Sequence, residues 1–401
     1  MKVAYLASLY PAPSHTFIQR EILELEKLGV DIIRFSVRQP SEEDLLDDLA
    51  RSEARQTRSL LPIGPSIVPA LLWVLATHPL RAVTTLWLGL RSARDMFAIL
   101  KWCAYFVEAI QLAHWLEKDG VKHLHCHFGN AGSNTAWLAS KLGAIGLSIT
   151  FHGIDLDEPH RFRHREKLAD ASFAVCISNF GKGLLVKNLA PEDVGKVAIV
   201  RCGFPVPNEA NVPEAPGRGR IISVARLSQE KGHKVLLEAL GTLVAEGIPF
   251  HCTLVGAGPL QGELRAMVSR LNLDRHVTMA GAVPNDRVVE MIASSDLSVL
   301  ASFGEGIPIA LLESLAWKRP FVASRVGGIP ELAPAETAGL LVEPGDPVAL
   351  ANGLKRLILD RELATKLAET GRKHVAAQHN PTLAANQMLR LFQEAEKLRQ
   401  L

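Results

Sequence analysis

The chain has 401 residues, of which 48% are hydrophobic and 21% are charged, and its formal net charge is +2. This length predicts two or three domains, and the composition excludes a disordered or low-complexity protein. The small net charge and the lack of a zinc-finger, helix-turn-helix or RNA-binding motif argue against a nucleic-acid partner.

The cysteines and the amino terminus indicate the cellular compartment of the protein. Five scattered cysteines without a C-x-x-C pair indicate reduced thiols rather than a disulfide framework. Met1 and Lys2 lead directly into a strand-like run that is too short for a signal peptide. We therefore expect a cytoplasmic location, with a peripheral position on the cytoplasmic face of the inner membrane as the alternative.

The first elements follow a strand, helix, strand pattern. Residues 3–7 predict a strand, residues 16–28 a helix with one apolar face, and residues 30–37 a second strand. Such a unit implies a right-handed crossover in a parallel sheet. The amino half is therefore predicted to be Rossmann-like.

Residues 60–117 are apolar and rich in tryptophan, and residues 60–80 contain no Asp, Glu, Lys or Arg. Several prolines break a span of about 20 residues, which argues against a transmembrane helix. Nearby cations would suit contact with anionic lipid, whereas aromatic residues at helical spacing are more often core. Both roles stay open on different faces of the region. The cations are Arg81, Arg91, Arg94 and Lys101.

Three histidines alternate along the predicted strand 123–127. Alternation places His123, His125 and His127 on one face, opposite Cys126. This spacing could in principle offer zinc ligands, but ligands on one rigid strand rarely converge tetrahedrally, and no fourth ligand is evident. We predict no metal here and expect His127 to lie beside the ligand site.

A Pro- and Gly-rich stretch, residues 204–218, predicts a linker between two domains. Beyond it, residues 221–232 predict a strand, a loop with Arg226 and Lys231, and the start of a helix. Two cations at the carboxyl end of a strand suit a diphosphate. Residues 252–259 repeat the pattern of a strand, a glycine turn and a helix.

Glu305 and Glu313 lie eight positions apart in the run 302–313. The glycines before Pro308 predict an accessible loop, and the proline predicts a helix that begins at Ile307 or Pro308. The free amides at a helix N-terminus suit a phosphate or a sugar. If the run were helical, the carboxylates would lie roughly 12 Å apart, whereas a glycosidase needs about 5 to 9.5 Å. We expect them to contact different parts of one extended ligand.

These motifs occur together in a known order. In them the chain resembles the retaining GT-B glycosyltransferases of glycosyltransferase family 4, and the likeness covers almost the whole chain. The motifs are residues 225–232, Gly256-x-Gly258-Pro259, Glu305-x7-Glu313 and Gly327-Gly328-x-Pro330-Glu331. The runs 10–21 and 123–128 look most like the exopolysaccharide and colanic-acid branch.

The resemblance implies an α/β protein of the GT-B class, with two Rossmann-like domains facing a central cleft. We expect an acceptor-side domain, a linker, a nucleotide-sugar-binding domain and a last helix that crosses back to the first domain. The expected bounds are residues 1–203 (with the apolar helical region 60–117), 204–218, 219–380 and 381–401.

The implied activity is transfer of a sugar from a nucleotide-diphosphate sugar to a glycan or lipid-linked oligosaccharide. The family transfers with retention of configuration, and we expect neither a metal nor another cofactor. Synthesis of exopolysaccharide or another cell-surface polysaccharide is the expected setting. The alternatives are a nucleotide-sugar epimerase or phosphorylase on the same scaffold, or a non-catalytic carbohydrate-binding assembly protein.

Site residues carry over by position from the resemblance. His152 matches the family histidine near the reacting carbon, and Glu313 the acid that binds the ribose hydroxyls. The first loop lacks the Gly-Gly pair of many relatives, so Ser14 or His15 would take its place. Asp155-Leu156-Asp157 imitates a D-x-D metal motif and is interpreted as a decoy, because Arg226 and Lys231 already serve the diphosphate.

The expected residues fall into three groups. The catalytic group is His152, Arg226, Lys231 and Glu305. The donor-binding group is Arg226, Lys231, Gly256, Glu305, Gly306, Ile307, Pro308 and Glu313. The acceptor-side group is Ser14, His15, His127 and Asp155.

Overall fold

The computed structural model describes residues 1–156, 159–217 and 219–400, apart from the side chains of Ser14 and Ile154. Asp157 of the predicted D-x-D motif lies outside the described residues. The chain divides into two compact units, which we call unit 1 (Met1–Arg201 with Thr382–Leu401) and unit 2 (Cys202–Pro381). Each unit is built on one parallel sheet with helices, which confirms the predicted class of two Rossmann-like domains.

Unit 1 contains a seven-stranded parallel sheet in the order β3-β2-β1-β4-β5-β6-β7. Its strands are β1 Lys2–Leu9, β2 Asp31–Arg38, β3 Thr57–Ser59, β4 His123–His127, β5 Gly146–Phe151, β6 Phe173–Cys176 and β7 Val197–Ile199. Its helices are α1 Thr16–Lys27, α2 Asp48–Gln56, α3 Ile67–Thr77, α4 Pro79–Ser92, α5 Met96–Lys118, α6 Ala131–Gly143, α7 His164–Asp170 and α8 Asn179–Val186.

The central strands of unit 1 are buried on both faces, as expected for a parallel sheet between helix layers. One face joins a large core that includes Leu124, Cys126 and Trp137. The other joins a core that includes Tyr5 and Phe392. Phe392 lies on the last helix, Pro381–Gln400, so most of that helix belongs to unit 1.

The apolar region forms three helices rather than one span. The prolines interrupt it as predicted, and α3 and α4 meet at a bend of 111°. However, α5 is a continuous helix of 23 residues that is long and apolar enough to cross a membrane by length and composition alone. Residues near its middle and carboxyl end, among them Trp102 and Leu112, are buried in the core of unit 1.

Unit 2 contains a six-stranded parallel sheet in the order β10-β9-β8-β11-β12-β13. Its strands are β8 Arg220–Val224, β9 His251–Val255, β10 Val277–Gly281, β11 Leu297–Leu300, β12 Phe321–Ser324 and β13 Gly339–Val342. Its helices are α9 His233–Ala245, α10 Gln261–Arg270, α11 Asn285–Ala293, α12 Ile309–Ala316, α13 Ile329–Leu332, α14 Pro347–Leu359 and α15 Arg361–Gln378, and the helix after them, Pro381–Gln400, is α16.

The order of strands in unit 2 reverses between β8 and β11. Open parallel sheets bind ligands outside the carboxyl ends of the strands at such a switch point, because the loops diverge there. The loops that follow β8, β9, β11 and β12 carry the predicted donor motifs. The fold therefore gathers these motifs at one edge of unit 2.

Candidate functional site

Backbone hydrogen bonds join the four motif loops of unit 2. The loop after β8 contacts the loop after β9, where the amide of Leu227 donates to Ala257 at 2.9 Å. It also contacts the loop after β11, where Phe303 donates to Glu230 at 2.8 Å. The amide of Gly328, after β12, donates to Gly306 at 2.9 Å. These contacts fix the predicted motifs relative to one another before any ligand binds.

Lys231 and Glu305 form the central ion pair of this platform. The Lys231 ammonium lies 2.7 Å from Glu305 Oε1, and the hydroxyl of Ser302 donates to the same oxygen at 2.7 Å. The lysine side chain is 16% exposed and the glutamate side chain 6% exposed. The attraction between the ammonium and the carboxylate is therefore weakly screened by water, and it holds the lysine in place.

Arg226 differs from Lys231 in its exposure. Its guanidinium is 69% exposed and donates to Glu230 Oε1 at 3.0 Å. The backbone of the same residue is fixed, because its carbonyl lies 3.1 Å from the ring of the buried His233. Arg226 is thus an exposed cation on an ordered loop, whereas Lys231 is largely buried.

The helix after Glu305 begins later than predicted. It starts at Ile309, with Pro308 as its N-cap residue, rather than at Ile307 or Pro308. Only part of the stretch from Glu305 to Glu313 is therefore helical, and the all-helical spacing of the two carboxylates does not apply. Residues 305–308 form a buried loop, and Glu313 is 3% exposed on α12.

Gly256 explains how the loop after β9 approaches the loop after β8. Its φ is +135°, and a Cβ atom at this position would lie 2.1 Å from the carbonyl oxygen of Ala225. Only glycine allows this backbone conformation together with that contact. The predicted donor residue Gly256 therefore has a direct steric role in shaping the platform.

Unit 1 brings together three histidines that the sequence named separately. His15 follows β1, His127 ends β4, and His152 follows β5. The ring of His152 lies 4.6 Å from Phe17 and 4.5 Å from Phe128, measured between ring centroids. Burial and the neighbouring imidazoles of His127 and His15 hold the pKa of His152 well below its usual range. His152 is therefore neutral at pH 7.

A chain of polar contacts leads from the interior of unit 1 to His152. The hydroxyl of Tyr5 donates to Glu21 Oε1 at 2.8 Å, and that oxygen lies 3.4 Å from His127 Nε2. His127 Nδ1 lies 3.0 Å from His152 Nε2. Which ring nitrogen donates in the contact between His127 and His152 depends on the tautomer of each ring. Glu21 thus lies in one chain of polar contacts with His127 and His152.

Asp155 connects two loops of unit 1. Its carboxylate accepts hydrogen bonds from the amides of Gly129 at 2.7 Å and His152 at 2.9 Å. Burial raises the pKa of Asp155, and these amides act in the opposite direction. The aspartate is buried in contacts with backbone, so it positions His152. The side chain of Ser14, predicted on the same side, lies outside the described residues.

Glu21, His125 and His127 each place one potential metal-ligand atom within 4.8 Å of the others. The sequence missed Glu21 as a partner of these histidines. His125 is already hydrogen bonded through both ring nitrogens, to Ser148 Oγ at 2.7 Å and to Thr150 Oγ1 at 3.0 Å. A metal ion would have to displace a hydroxyl group, and the absence of a metal stays a prediction.

Acid should destabilise unit 1, because it buries neutral histidines. Burial lowers the pKa of His123 and of His164 to about 3. Between that value and the ordinary value of about 6.5, the unfolded chain binds protons that the folded chain excludes, so stability falls as pH falls. From about pH 7.5 to about pH 5.5 we expect a loss of about 1.4 kcal/mol for each such histidine.

Urea unfolding followed by tryptophan fluorescence measures this effect, because five of the six tryptophans lie in unit 1. His123→Gln should remove about 1 kcal/mol of the acid-induced loss. His251→Gln, at an exposed position of unit 2, is the control and should leave the loss unchanged. Equal acid sensitivity in the wild type and in His123→Gln would contradict the prediction.

Sequence reasoning missed the side chains that surround His152. Phe17 and Glu21 lie within the run 10–21 that was assigned to a family branch, and both lie on α1. Phe128 follows the histidine strand with a φ of +70°. The sequence feature that could have identified Phe17 and Glu21 together is their spacing, because residues four apart share one face of a helix.

Comparisons with known proteins agree with this arrangement. Residues 208–374 match the family described as glycosyl transferases group 1. The chain is 32% identical over 285 residues to a protein of Escherichia coli strain K12 named as the colanic acid biosynthesis glycosyltransferase WcaL, covering 67% of this chain and 69% of that one. It is 30% identical over 286 residues to the amylovoran biosynthesis glycosyltransferase AmsK of Erwinia amylovora, with the same coverage of 67% and 69%.

Solved structures resemble the whole chain. The sucrose-phosphate synthase of Thermosynechococcus elongatus aligns with a TM-score of 0.74 at 19% identity, over 99% of this chain and 100% of that one. Anabaena HepE in complex with UDP-glucose aligns with a TM-score of 0.73 at 17% identity, over 100% of both chains. At such identities the likeness supports the fold alone.

Proposed function

Because this chain belongs to the glycosyl transferases group 1 family, we propose that it transfers a sugar from a nucleotide-diphosphate sugar with retention of configuration and without a metal ion. The observation that carries the proposal is the Lys231–Glu305 pair, at 2.7 Å, on joined loops at the switch point of unit 2. A largely buried ammonium at that position suits the diphosphate of a donor.

The donor would be held by groups of different exposure. Lys231 contacts the diphosphate from a fixed position, and the exposed Arg226 exchanges its Glu230 partner for phosphate oxygens when the donor arrives. Glu313, buried on α12, accepts hydrogen bonds from the ribose hydroxyls. Glu305 and the amides of Gly306 and Ile307 face the sugar and the phosphate next to it.

Two cations, the fixed Lys231 and the recruited Arg226, supply the charge that a metal ion would otherwise provide. As the bond between the anomeric carbon and the phosphate oxygen breaks, negative charge grows on the leaving diphosphate. Lys231 and Arg226 stabilise that charge, and their preorganisation lowers the barrier. The proposed transferase is therefore independent of added divalent cations.

Retention follows if the acceptor attacks from the face that the diphosphate leaves. The acceptor oxygen forms its bond to the anomeric carbon while the carbon–phosphate oxygen bond breaks, and the acceptor proton passes to the departing phosphate oxygen. No protein nucleophile is then needed. By the family resemblance, His152 is the residue of unit 1 that we propose to contact a sugar hydroxyl, and its Nε2 lies 3.0 Å from His127 Nδ1.

The acceptor is proposed to be a glycan or a lipid-linked oligosaccharide in the synthesis of a cell-surface polysaccharide. Support comes from the relatives, which are named for the biosynthesis of colanic acid and amylovoran. The proposed location is the cytoplasm, at the cytoplasmic face of the inner membrane.

Calorimetric titration with UDP-, GDP- and ADP-sugars, with EDTA in place of added metal, tests the donor and the metal together. We expect one donor to bind the wild type. Glu313→Gln should weaken the binding of that donor by about 10- to 100-fold, because a charged hydrogen-bond acceptor is lost. Glu290→Gln, an exposed acid on α11 whose side chain is 59% exposed, is the control and should bind as the wild type does.

Product analysis by NMR then reports the anomeric configuration and separates the alternatives. Turnover of donor without an acceptor would indicate an epimerase, and dependence on inorganic phosphate a phosphorylase. No binding of any donor would favour a non-catalytic protein. An inverted product, or a strict need for a divalent cation, would overturn the proposed mechanism.

A further inference from the structure

Exposed apolar side chains are concentrated in one part of unit 1. Twelve of the 22 large hydrophobic side chains that are exposed in the described part of the chain lie between residues 63 and 100. Scattered exposed hydrophobic residues are normal, whereas a contiguous apolar patch marks an interaction surface. We call the exposed faces of α3, α4 and the first turns of α5 the apolar surface.

Helix α3 carries two apolar faces. Ala70 and Val74 are buried and attach it to the core of unit 1. On the opposite face, leucines and a valine recur with helical spacing and are exposed. They are Val68, Leu71, Leu72 and Leu75. One face is needed for folding, and the second face requires another partner.

The next two helices also carry exposed apolar residues. On α4, Leu80, Val83 and Trp87 are exposed at a spacing of three and four residues, and Leu80 is 82% exposed. Met96 and Phe97 in the first turn of α5 are also exposed. Leu100 extends the same surface one turn further.

The charge around this surface has one sign. Four exposed cations lie between residues 63 and 104, against one carboxylate, Asp95. Asp95 caps α5 by accepting a hydrogen bond from the amide of Ala98 at 2.7 Å. The cations are Arg81, Arg91, Arg94 and Lys101, and Lys101 lies 4.5 Å above the ring of Phe97.

We propose that the apolar surface docks unit 1 on a bilayer that contains anionic lipid. Leucines, Phe97 and Trp87 enter the boundary between headgroups and acyl chains, and the cations contact the phosphates around them. Cationic and aromatic residues beside an apolar helix face are the combination that such an interface binds.

The surface lies on the membrane rather than crossing it. The bend of 111° between α3 and α4 prevents them from forming one straight span. In α5 the apolar residues after the first turns, such as Trp102, Ile110 and Leu112, are buried in the core of unit 1. The exposed apolar side chains therefore suit a shallow contact.

A second copy of the chain fits the surface less well. A symmetric contact would place this patch against itself, so the four cations of each copy would face one another with one carboxylate apiece. An anionic bilayer instead supplies both an apolar layer and opposite charge. A role of the apolar surface in capturing a lipid-linked acceptor rests on the proposed function. Docking on the bilayer can be measured without enzymatic turnover.

Vesicle co-sedimentation of the full chain tests the proposal without an activity assay. Vesicles are phosphatidylcholine alone, or phosphatidylcholine with about a third phosphatidylglycerol. We expect at least about tenfold tighter binding to the anionic vesicles, weakened by salt. The pair Leu72→Glu and Leu75→Glu should lower that binding at least about tenfold, because charge would enter the acyl boundary.

The matched control is the pair Val348→Glu and Leu359→Glu, two exposed hydrophobic positions of unit 2, which should bind vesicles as the wild type does. Thermal melting checks that every variant is folded. Failure of the wild type to bind anionic vesicles overturns the proposal, as does equal binding by the α3 variant. A concentration-dependent dimer without vesicle binding would assign the surface to a second copy.

Discussion

Lys231→Ala should lower kcat/KM by about 100- to 1,000-fold, the usual effect of removing one preorganised group that stabilises transition-state charge. Lys231 is held 2.7 Å from Glu305 Oε1 and is 16% exposed, so its charge acts in a poorly solvated site. Water that replaced the ammonium would have to reorganise as charge grows on the diphosphate. The loss should therefore lie mainly in the chemical step.

Steady-state rates with the donor identified by titration measure this effect. Lys234→Ala is the control, since Lys234 lies three residues further along on α9, is 48% exposed and pairs with Glu263. It should change kcat/KM by less than about threefold, as surface ion pairs contribute little. If both variants lose activity equally, or if Lys231→Ala retains it, the proposed role of Lys231 is wrong.

Lys231→Ala also leaves the Glu305 carboxylate without its cation, so stability must be measured beside activity. Removing one partner of a buried pair destabilises by about 3 to 5 kcal/mol at most, and Ser302 still donates to Glu305. Adding Glu305→Gln to Lys231→Ala should restore stability without restoring turnover. Recovery of activity in the double variant would indicate that the lysine only neutralises Glu305.

The sequence predicted much of the platform in unit 2, because strand and glycine-turn patterns are local. The strand 321–324 and the positions of Gly256 and Glu313 follow from runs of adjacent residues. The predicted start of α12, at Ile307 or Pro308, was one or two residues early, since Pro308 is the N-cap residue of the helix and not part of its first turn. Both conformations suit proline, so its presence alone did not decide between them.

The site in unit 1 was predictable only in pieces. His15, His127 and His152 come from three loops, and their proximity depends on the parallel order β1-β4-β5. The link from Tyr5 through Glu21 to His127 joins a strand, a helix and a neighbouring strand. No local pattern encodes such contacts, because they arise from how α1 packs on the sheet.

The apolar region was also only partly predictable from the sequence. Composition identified residues 60–117 as apolar, and the prolines predicted the interruptions between its helices. Which apolar residues face the core depends on the contacts of α3 with α5, so the exposed stripe with Leu72 and Leu75 could not be separated from the buried stripe with Val74. Helical spacing fits both stripes equally well.

Gly327→Ala should reduce kcat/KM by about 100-fold and cost about 1 to 3 kcal/mol of stability in unit 2. Gly327 has a φ of +58°, and a Cβ atom there would lie 1.8 Å from the carbonyl oxygen of Glu305. Because that separation is impossible, the loop of Glu305 must move away. The displacement would loosen the contact between Glu305 and Lys231 and the hydrogen bond from Gly328 to Gly306.

Gly241→Ala is the matched control, because Gly241 lies on α9 with open space around a Cβ atom. That change should keep activity and add up to about 1 kcal/mol of stability through helix propensity. Steady-state rates and thermal melting of both variants measure these effects on activity and stability. If Gly327→Ala keeps full activity, the Glu305 loop tolerates displacement, and its position next to Lys231 is not needed for turnover.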